Sequence, residues 1–427
     1  AFLLSTVDVM YTSVSPHALA LFLELGLEAE LRPTNEAERG ASVVRRGRLY
    51  PVPEGFSLLV PRRAWPLAVS GLLSVAGKLR MAREYFIPPR REETDESLAA
   101  FVRRRFGREA FERLIQPLIG GIYTADPERL SMAATLPQFL ALEKKHGSLL
   151  RSTFSRTEPN AAERSAGGAR YGLFLAPRGG MQQLVAALET QLSDSICTDC
   201  RAESLSRTEH GWRLELTAAG RPLTEEFDAV ILAVPAHRAA ALLGAVDAAL
   251  AEQLGRIEYA SAAVVIGGYR LDQVGRPPRG FGFVVPAIEK RRILACSFAS
   301  RKFPGRAPEG GVLLRTFVGG ALQPELLERD DAELQRIVAE ELGELIGLAG
   351  EPLVSRVVRW NRAMPQYHVG HLDRVAAIEA RVAAVPGLEL AGNAYRGVGI
   401  PQCIRSGEQA AERLHAKWKS PAAAGGG

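Results

Sequence analysis

Leu388 to Trp418 reads LELAGNAYRGVGIPQCIRSGEQAAERLHAKW: an apolar run, a glycine-rich loop, then a helical pattern. Leu388, Leu390 and Ala391 suit a short buried strand, and Gly392, Asn393, Gly397 and Gly399 then break regular structure and let backbone approach a ligand closely. After Pro401, the residues Ile404, Gly407, Ala411, Leu414 and Trp418 recur at helical spacing, so one face of a C-terminal helix packs on a sheet. The opposite face carries Arg405, Glu408 and Arg413. A helix start preceded by small residues turns open N–H groups and the positive dipole end toward whatever lies before it, which favours an anion or an electron-rich carbonyl oxygen. The plainer alternative is a strand–loop–helix unit whose glycines only make the turn.

The rest of the chain bounds the problem. With 427 residues, 47% of them hydrophobic, it can bury a large core in two or three structural units. No run reaches the roughly 20 apolar residues of a spanning helix. The best candidate, Trp65 to Ala76, lies between Arg62, Arg63, Lys78 and Arg80 and reads first as a buried helix, second as a segment lying on an anionic membrane surface. Basic residues exceed acidic ones by only five and are scattered, so nucleic acid is excluded as a partner. The opening AFLLSTVDVM lacks the pattern of a secretory signal. Cys197 and Cys200 have no second pair to complete a zinc site, and His368-Val-Gly-His371 has no nearby acidic ligand, so no metal site is expected.

Patterning divides the chain. Pro16 to Leu31 suggests a short helix ending near Gly26, and SVVRRGRLYPVP suggests two strands around a basic turn at Gly47. Residues 57–150 read as helical, with Gly120-Gly121 ending one helix in a tight turn. Residues 151–170 read as a mobile loop. Met181 to Leu192 has a helical face; GWRLELTAAG and FDAVILAVPAH supply strands, the latter apolar on both faces as in a parallel sheet. YASAAVVIGGY, GFGFVVP and VLLRTFVGG read as strands before an amphipathic helix from Asp330 to Ile346. The tail SPAAAGGG is low-complexity.

FERLIQPLIGGIYTADPERLSM, PRGGMQQL, RGFGFVVP, FPGRAPEGG followed by TFVGG, MPQYHVGH and LAGNAYRGVGIPQCIRSG occur in an order that resembles the oxygen-dependent protoporphyrinogen oxidases. These are flavoproteins of haem synthesis within the amine-oxidase-like FAD superfamily. The resemblance runs from about Pro16 to Leu414. It implies an α/β (α+β) amine-oxidase-like fold: a truncated Rossmann-type FAD domain (1–40, 171–257 and 381–418), a mixed-sheet substrate domain (41–56 and 258–380), a helical, membrane-facing subdomain (57–150), and a disordered tail (419–427).

By the same resemblance, Gly397, Val398 and Gly399 bring backbone N–H groups to the isoalloxazine of FAD, with Asn393 and Val234 as further cofactor-binding residues. An apolar cavity lined by Gly121, Val284, Leu294 and Phe317 takes a flat tetrapyrrole, and an arginine pairs with a propionate. Where relatives carry that arginine this chain has Ala41, leaving Arg45 as the expected substitute, with Arg39 beside it. The implied chemistry is repeated hydride removal by the flavin, with dioxygen as acceptor, giving hydrogen peroxide; the flavin carries it, so no catalytic side chain is named.

Relatives begin with a strand, a GxGxxG turn, a helix and an acidic residue on the ribose; the sequence here opens past them, and charge-assisted contacts of roughly 1.5–3 kcal/mol each to the ADP half are expected to be missing. Protoporphyrinogen IX is the expected substrate. Coproporphyrinogen III is the alternative, followed by another amine-oxidase-like substrate or a tetrapyrrole-binding fragment without turnover. Tyr395 alone does not form the facing aromatic pair of an amine oxidase. The expected location is cytoplasmic, peripheral on the inner face of the cell membrane, with a homodimer left open.

Overall fold

The computed structural model describes residues 2–3, 10–11, 16–61, 63–155, 174–276 and 279–419. The expectations of a mobile loop, beyond its first residues, and of a disordered tail fall outside them. The chain folds as two compact units, one made of residues 1–13, 27–183 and 259–369, the other of 14–26, 184–258 and 370–427.

The larger unit is built on a seven-stranded sheet, in the order Val354–Pro365, Tyr259–Arg270, Gly311–Gly319, Ala295–Phe298, Gly282–Val284, Ser42–Arg45 and Arg48–Pro51. Neighbours are antiparallel except Gly282–Val284 and Ser42–Arg45, which run parallel. Strand alternation sends Val265, Phe283, Cys296 and Leu314 to one face, where they pack with Leu334, Val338, Leu342 and Leu345 of the helix Asp331–Ile346. The side chain of Asp330 accepts the Glu333 N–H at the helix start and Gly347 closes its end at φ 68°, so the predicted amphipathic helix is capped at both ends. Each fully buried leucine in that seam stabilises the unit by about 1.5–3 kcal/mol.

The opposite face is a row in register. Val284 pairs with Val43 and Ala295, Ala295 with Phe317, Phe317 with Val264, and Val264 with Val358. Val284, Ala295 and Phe317, at its centre, are only half-buried.

The helical stretch of this unit runs from Ala64 to Ser155. Arg80 lies across the end of Leu98–Phe106 and donates to the carbonyls of Arg104 and Arg105 at 2.8 and 2.9 Å, satisfying two of its terminal acceptors. From Arg108 to Tyr123 the chain stays helical, through a wider π turn at Phe111–Ile115. Gly120-Gly121 was expected to end this helix. The helix instead passes through both glycines and stops at Thr124, whose left-handed backbone (φ 47°) sends its N–H to the Gly120 carbonyl at 2.8 Å. Leu149–Ser155 is helical, so the expected loop does not begin at Arg151.

Trp65 to Ala76 is not one buried helix. It is two short pieces, Ala64–Val69 and Val75–Ala82, parted at Ser70–Ser74, with Trp65 75% and Val75 73% exposed. Leu67, Leu72 and Leu73 take the buried positions, and the remaining apolar side chains face outward.

In the smaller unit, Val230–Leu232 and Leu388–Leu390 form a parallel pair, Val230 opposite Leu388 and Leu232 opposite Leu390. A separate antiparallel sheet joins Cys200–Arg207, Trp212–Ala218 and Arg221–Phe227. Cys197 and Cys200 are joined as a disulfide. Helices His17–Glu24, Ala236–Leu243, Ala248–Gly255, His371–Ala383 and Ile400–Lys419 complete the unit.

Candidate functional site

Parallel strands deliver their following loops to one end of a sheet, which is where ligands of α/β folds collect. Leu232 and Leu390 are partners, so Ala233-Val234-Pro235 and Gly392–Gly399 both leave from that end. Val234 thus shares an end with Asn393, Gly397, Val398 and Gly399; its side chain is exposed. The loop 392–399 contains neither helix nor strand. Gly392 and Gly397 sit at φ 117° and 133°, conformations closed to most side chains. A β-carbon at Gly392 would meet nothing within 4 Å.

Gln402 was not anticipated. A β-carbon at Gly397 would lie 2.6 Å from its Cγ, and one at Gly399 would strike its Oε1. The two glycines therefore make room first for a carboxamide from the helix that follows. The sequence signal was available in the i to i+3 spacing of Gly399 and Gln402 across a helix start.

Beside this loop lies an open cavity of about 680 Å³, lined by the helix His371–Ala383, the strand Leu388–Leu390, the loop and the helix Ile400–Lys419. Its walls are ion-paired: Glu389, buried, holds Arg413 at 2.8 Å, and Glu379 holds Arg396 at 2.5 Å. Ser406 accepts the Gly392 N–H at 3.1 Å, and His371 Nε2 lies 2.9 Å from the Tyr395 carbonyl oxygen. Burial pushes the Cys403 thiol upward. Small residues, open space at Gly392 and a twenty-residue helix with no acid in its first turn fit an electron-rich planar group.

In the larger unit the structure brings Gly121, Val284 and Leu294 together. A β-carbon on Gly121 would stand 3.7 Å from Val284 Cγ1, and one on Gly320 would stand 3.2 Å from Leu294 Cδ1 and 3.1 Å from the Thr124 carbonyl oxygen. Leu294 donates its N–H to the Phe317 carbonyl at 2.8 Å. A small open pocket of about 20 Å³ beside them is lined by Gly121, Thr124, Leu294 and Gly320 among others. Val284 and Phe317 lie half-buried on the face of the sheet described above. Arg315, buried and two residues before Phe317, sets its guanidinium 5.6 Å from the Phe317 ring centroid. The alternation of GVLLRTFVG already placed the two on one face, a signal that sequence reading left unused.

Arg45 donates from Nη1 to the Gly71 carbonyl; its Nε is buried and has no hydrogen-bond partner among the described residues. Arg39 is paired with Glu36 at 2.6 Å. On the packed face, burial pushes the Cys296 thiol up to about 12, opposed by the Thr316 hydroxyl. Among the described residues there is no cluster of three metal-ligating side chains, and no helix is long and apolar enough to cross a membrane.

Comparison with known proteins covers nearly the whole chain. Residues 8–415 match the model of the flavin containing amine oxidoreductases. The chain is 35% identical to coproporphyrinogen III oxidase of Bacillus subtilis (strain 168), over 91% of this chain and 82% of that protein. It is 28% identical to the chloroplastic protoporphyrinogen oxidase of Nicotiana tabacum, over 93% and 74%. A crystal structure assigned as a protoporphyrinogen oxidase from Exiguobacterium sp. 255-15 superposes with TM-score 0.83 at 31% identity, over 96% of this chain and 87% of that one. Cyclohexylamine oxidase of Brevibacterium oxydans IH-35A, at 13% identity and TM-score 0.65, shares the fold, with coverage of 97% and 90%.

Proposed function

The chain belongs to the flavin containing amine oxidoreductases, and we propose that it is an FAD-dependent oxidase that converts a porphyrinogen to the porphyrin in haem synthesis, with dioxygen as acceptor. The observation that carries this reading is similarity to porphyrinogen oxidases along the whole chain, which includes the strand–loop–helix at its end. Of the two substrates, coproporphyrinogen III is favoured over protoporphyrinogen IX by the 35% and 32% identity of two coproporphyrinogen III oxidases, a third standing at 29%, against 28% and 29% for the plant protoporphyrinogen oxidases and 31% for the Exiguobacterium structure named as one.

A bound FAD would supply the hydride acceptor for three successive two-electron oxidations, each balanced by one dioxygen reduced to hydrogen peroxide. The chain's own residues bind and orient. Gly397, Val398 and Gly399 would offer backbone to the flavin, with Asn393 and Val234 at the same end of the strand pair. The half-buried face around Val284 and Phe317, with Gly121 and Leu294 beside it, would accept the hydrocarbon of a tetrapyrrole. The Arg45 guanidinium would meet a carboxylate.

The reading includes a peripheral contact with an anionic membrane. Trp65, Val69, Val75, Leu79 and Phe86 are 61–79% exposed, and every charged side chain from Arg63 to Arg91 is basic except the buried Glu84. Apolar tips in a basic field match a bilayer surface carrying negative lipid.

The deciding experiment supplies FAD and each porphyrinogen in air and follows porphyrin fluorescence against a protein-free control. Faster appearance with coproporphyrinogen III, accompanied by peroxide, is expected. No acceleration with either substrate would overturn the proposal.

A further inference from the structure

The loop from Gly392 to Gly399 belongs to no helix or strand, and its position is set by side chains of the two helices beside it. His371, in the first turn of His371–Ala383, is 1% exposed and meets the Tyr395 carbonyl oxygen at 2.9 Å. A carbonyl only accepts, so Nε2 carries the proton and donates. Two turns on, Glu379 takes both Nε and Nη2 of Arg396, at 2.7 and 2.5 Å. The same helix therefore grips adjacent residues, one through backbone and one through side chain.

The two grips differ in strength. Arg396 and Glu379 are 56% and 50% exposed, so water and salt screen their attraction. The histidine contact is buried, and losing its donor would remove a hydrogen bond that water does not screen. Tyr395 also stands two residues before Gly397, one of the residues proposed to offer backbone to the flavin.

We infer that His371 is the positioning residue of this loop: its Nε2–H holds the Tyr395 carbonyl, thereby fixing the backbone that faces the flavin. The flavin part rests on the function proposed above; the hold on the loop does not. A glutamine at 371 can place an amide nitrogen near the Nε2 position, whereas an asparagine reaches only as far as Nδ1.

The test compares His371→Gln, His371→Asn and Glu379→Gln in the full chain by two readouts: amide hydrogen exchange of residues 393–399 without FAD, and the rate of FAD release after loading. His371→Asn is expected to speed both by about tenfold, as befits one lost buried hydrogen bond. His371→Gln should restore most of the wild-type rates, and Glu379→Gln should have a small effect that vanishes at high salt. Exchange in His371→Asn at the wild-type rate would overturn the inference, as would Gln and Asn behaving alike. If the wild-type chain takes up no FAD, the flavin assignment fails, while exchange still decides what His371 does. Should His371→Asn not fold, loop exchange in His371→Gln about tenfold or more faster than in wild type would overturn it.

Discussion

Arg105 and Glu84 form an ion pair from which solvent is fully excluded. Glu84 also accepts the Ser148 hydroxyl at 2.6 Å and the N–H groups of Leu149 and Leu150 at 2.9 and 3.0 Å, which caps the helix Leu149–Ser155. Arg105 reaches the carbonyls of Ile87 and Gly147, each at 3.0 Å, and Glu143 at 3.2 Å. One pair thus ties together four stretches of the helical region. Removing Arg105 leaves the Glu84 carboxylate buried without its counterion, and removing Glu84 leaves Arg105 only Glu143 and carbonyl oxygens. Arg105→Leu or Glu84→Leu should cost about 3–5 kcal/mol in urea unfolding; a loss below about 1 kcal/mol would show that the pair does not hold these helices.

Gly399→Leu is expected to abolish flavin retention, because a branched side chain would displace the Gln402 carboxamide and fill the approach to the ring. Gly399→Ala combined with Gln402→Ala should recover part of it, since the second change removes the atoms the first one meets. Visible flavin absorbance after desalting checks both. Full retention in Gly399→Leu would mean that the loop lies away from the cofactor.

Phe317→Ala should spare flavin and raise the KM for porphyrinogen, at a stability cost of about 1–3 kcal/mol for a half-buried ring. Gly320→Ala should destabilise by about 1–2 kcal/mol, since φ is 72° and the Thr124 carbonyl is close, whereas Gly121→Ala, inside a helix with 3.7 Å of clearance, should fold normally. Thermal unfolding and steady-state kinetics separate the two effects.

Trp65→Ser combined with Phe86→Ser should abolish flotation with vesicles of phosphatidylglycerol and phosphatidylcholine while leaving unfolding unchanged, because both rings are over 70% exposed. Vesicles of phosphatidylcholine alone should bind weakly. If the wild type ignores vesicles and the substitutions instead turn a dimer into a monomer, the surface is a contact between copies and the membrane reading falls.

Alkaline pH should unfold the larger unit. Burial pushes both Cys296 and Tyr269 up to about 12, above their unfolded values. A raised acid pKa means that the folded state keeps its proton, so stability is fully present below about pH 9 and is lost as pH rises toward 12. Cys296→Ser, measured by urea unfolding across that window, should flatten the decline; an unchanged slope would remove Cys296 as its cause. The buried thiol should also resist alkylation at neutral pH.

Much of the fold was legible because its signals are local. The helix Asp331–Ile346 follows from apolar spacing and an aspartate cap, the hairpin around Gly47 from alternation, and the strand–loop–helix at Leu388 from an apolar run followed by glycines. Each depends on residues a few positions apart, whose backbone bonding their neighbours decide. Gly120-Gly121 misled because glycine permits a turn without requiring one, and the flanking contacts carried the helix on to Tyr123.

The sequence by itself settled the family, the two apolar strands of the smaller unit, and the small residues that follow one of them. Only tertiary structure put Gln402 against Gly397 and Gly399, His371 beneath Tyr395, and Val284, Ala295, Phe317 and Val264 in one row. It also left Trp65 and Phe86 outside the core. These depend on which distant segments pair and in what register, and a shift of one residue would turn every side chain of a strand to the other face.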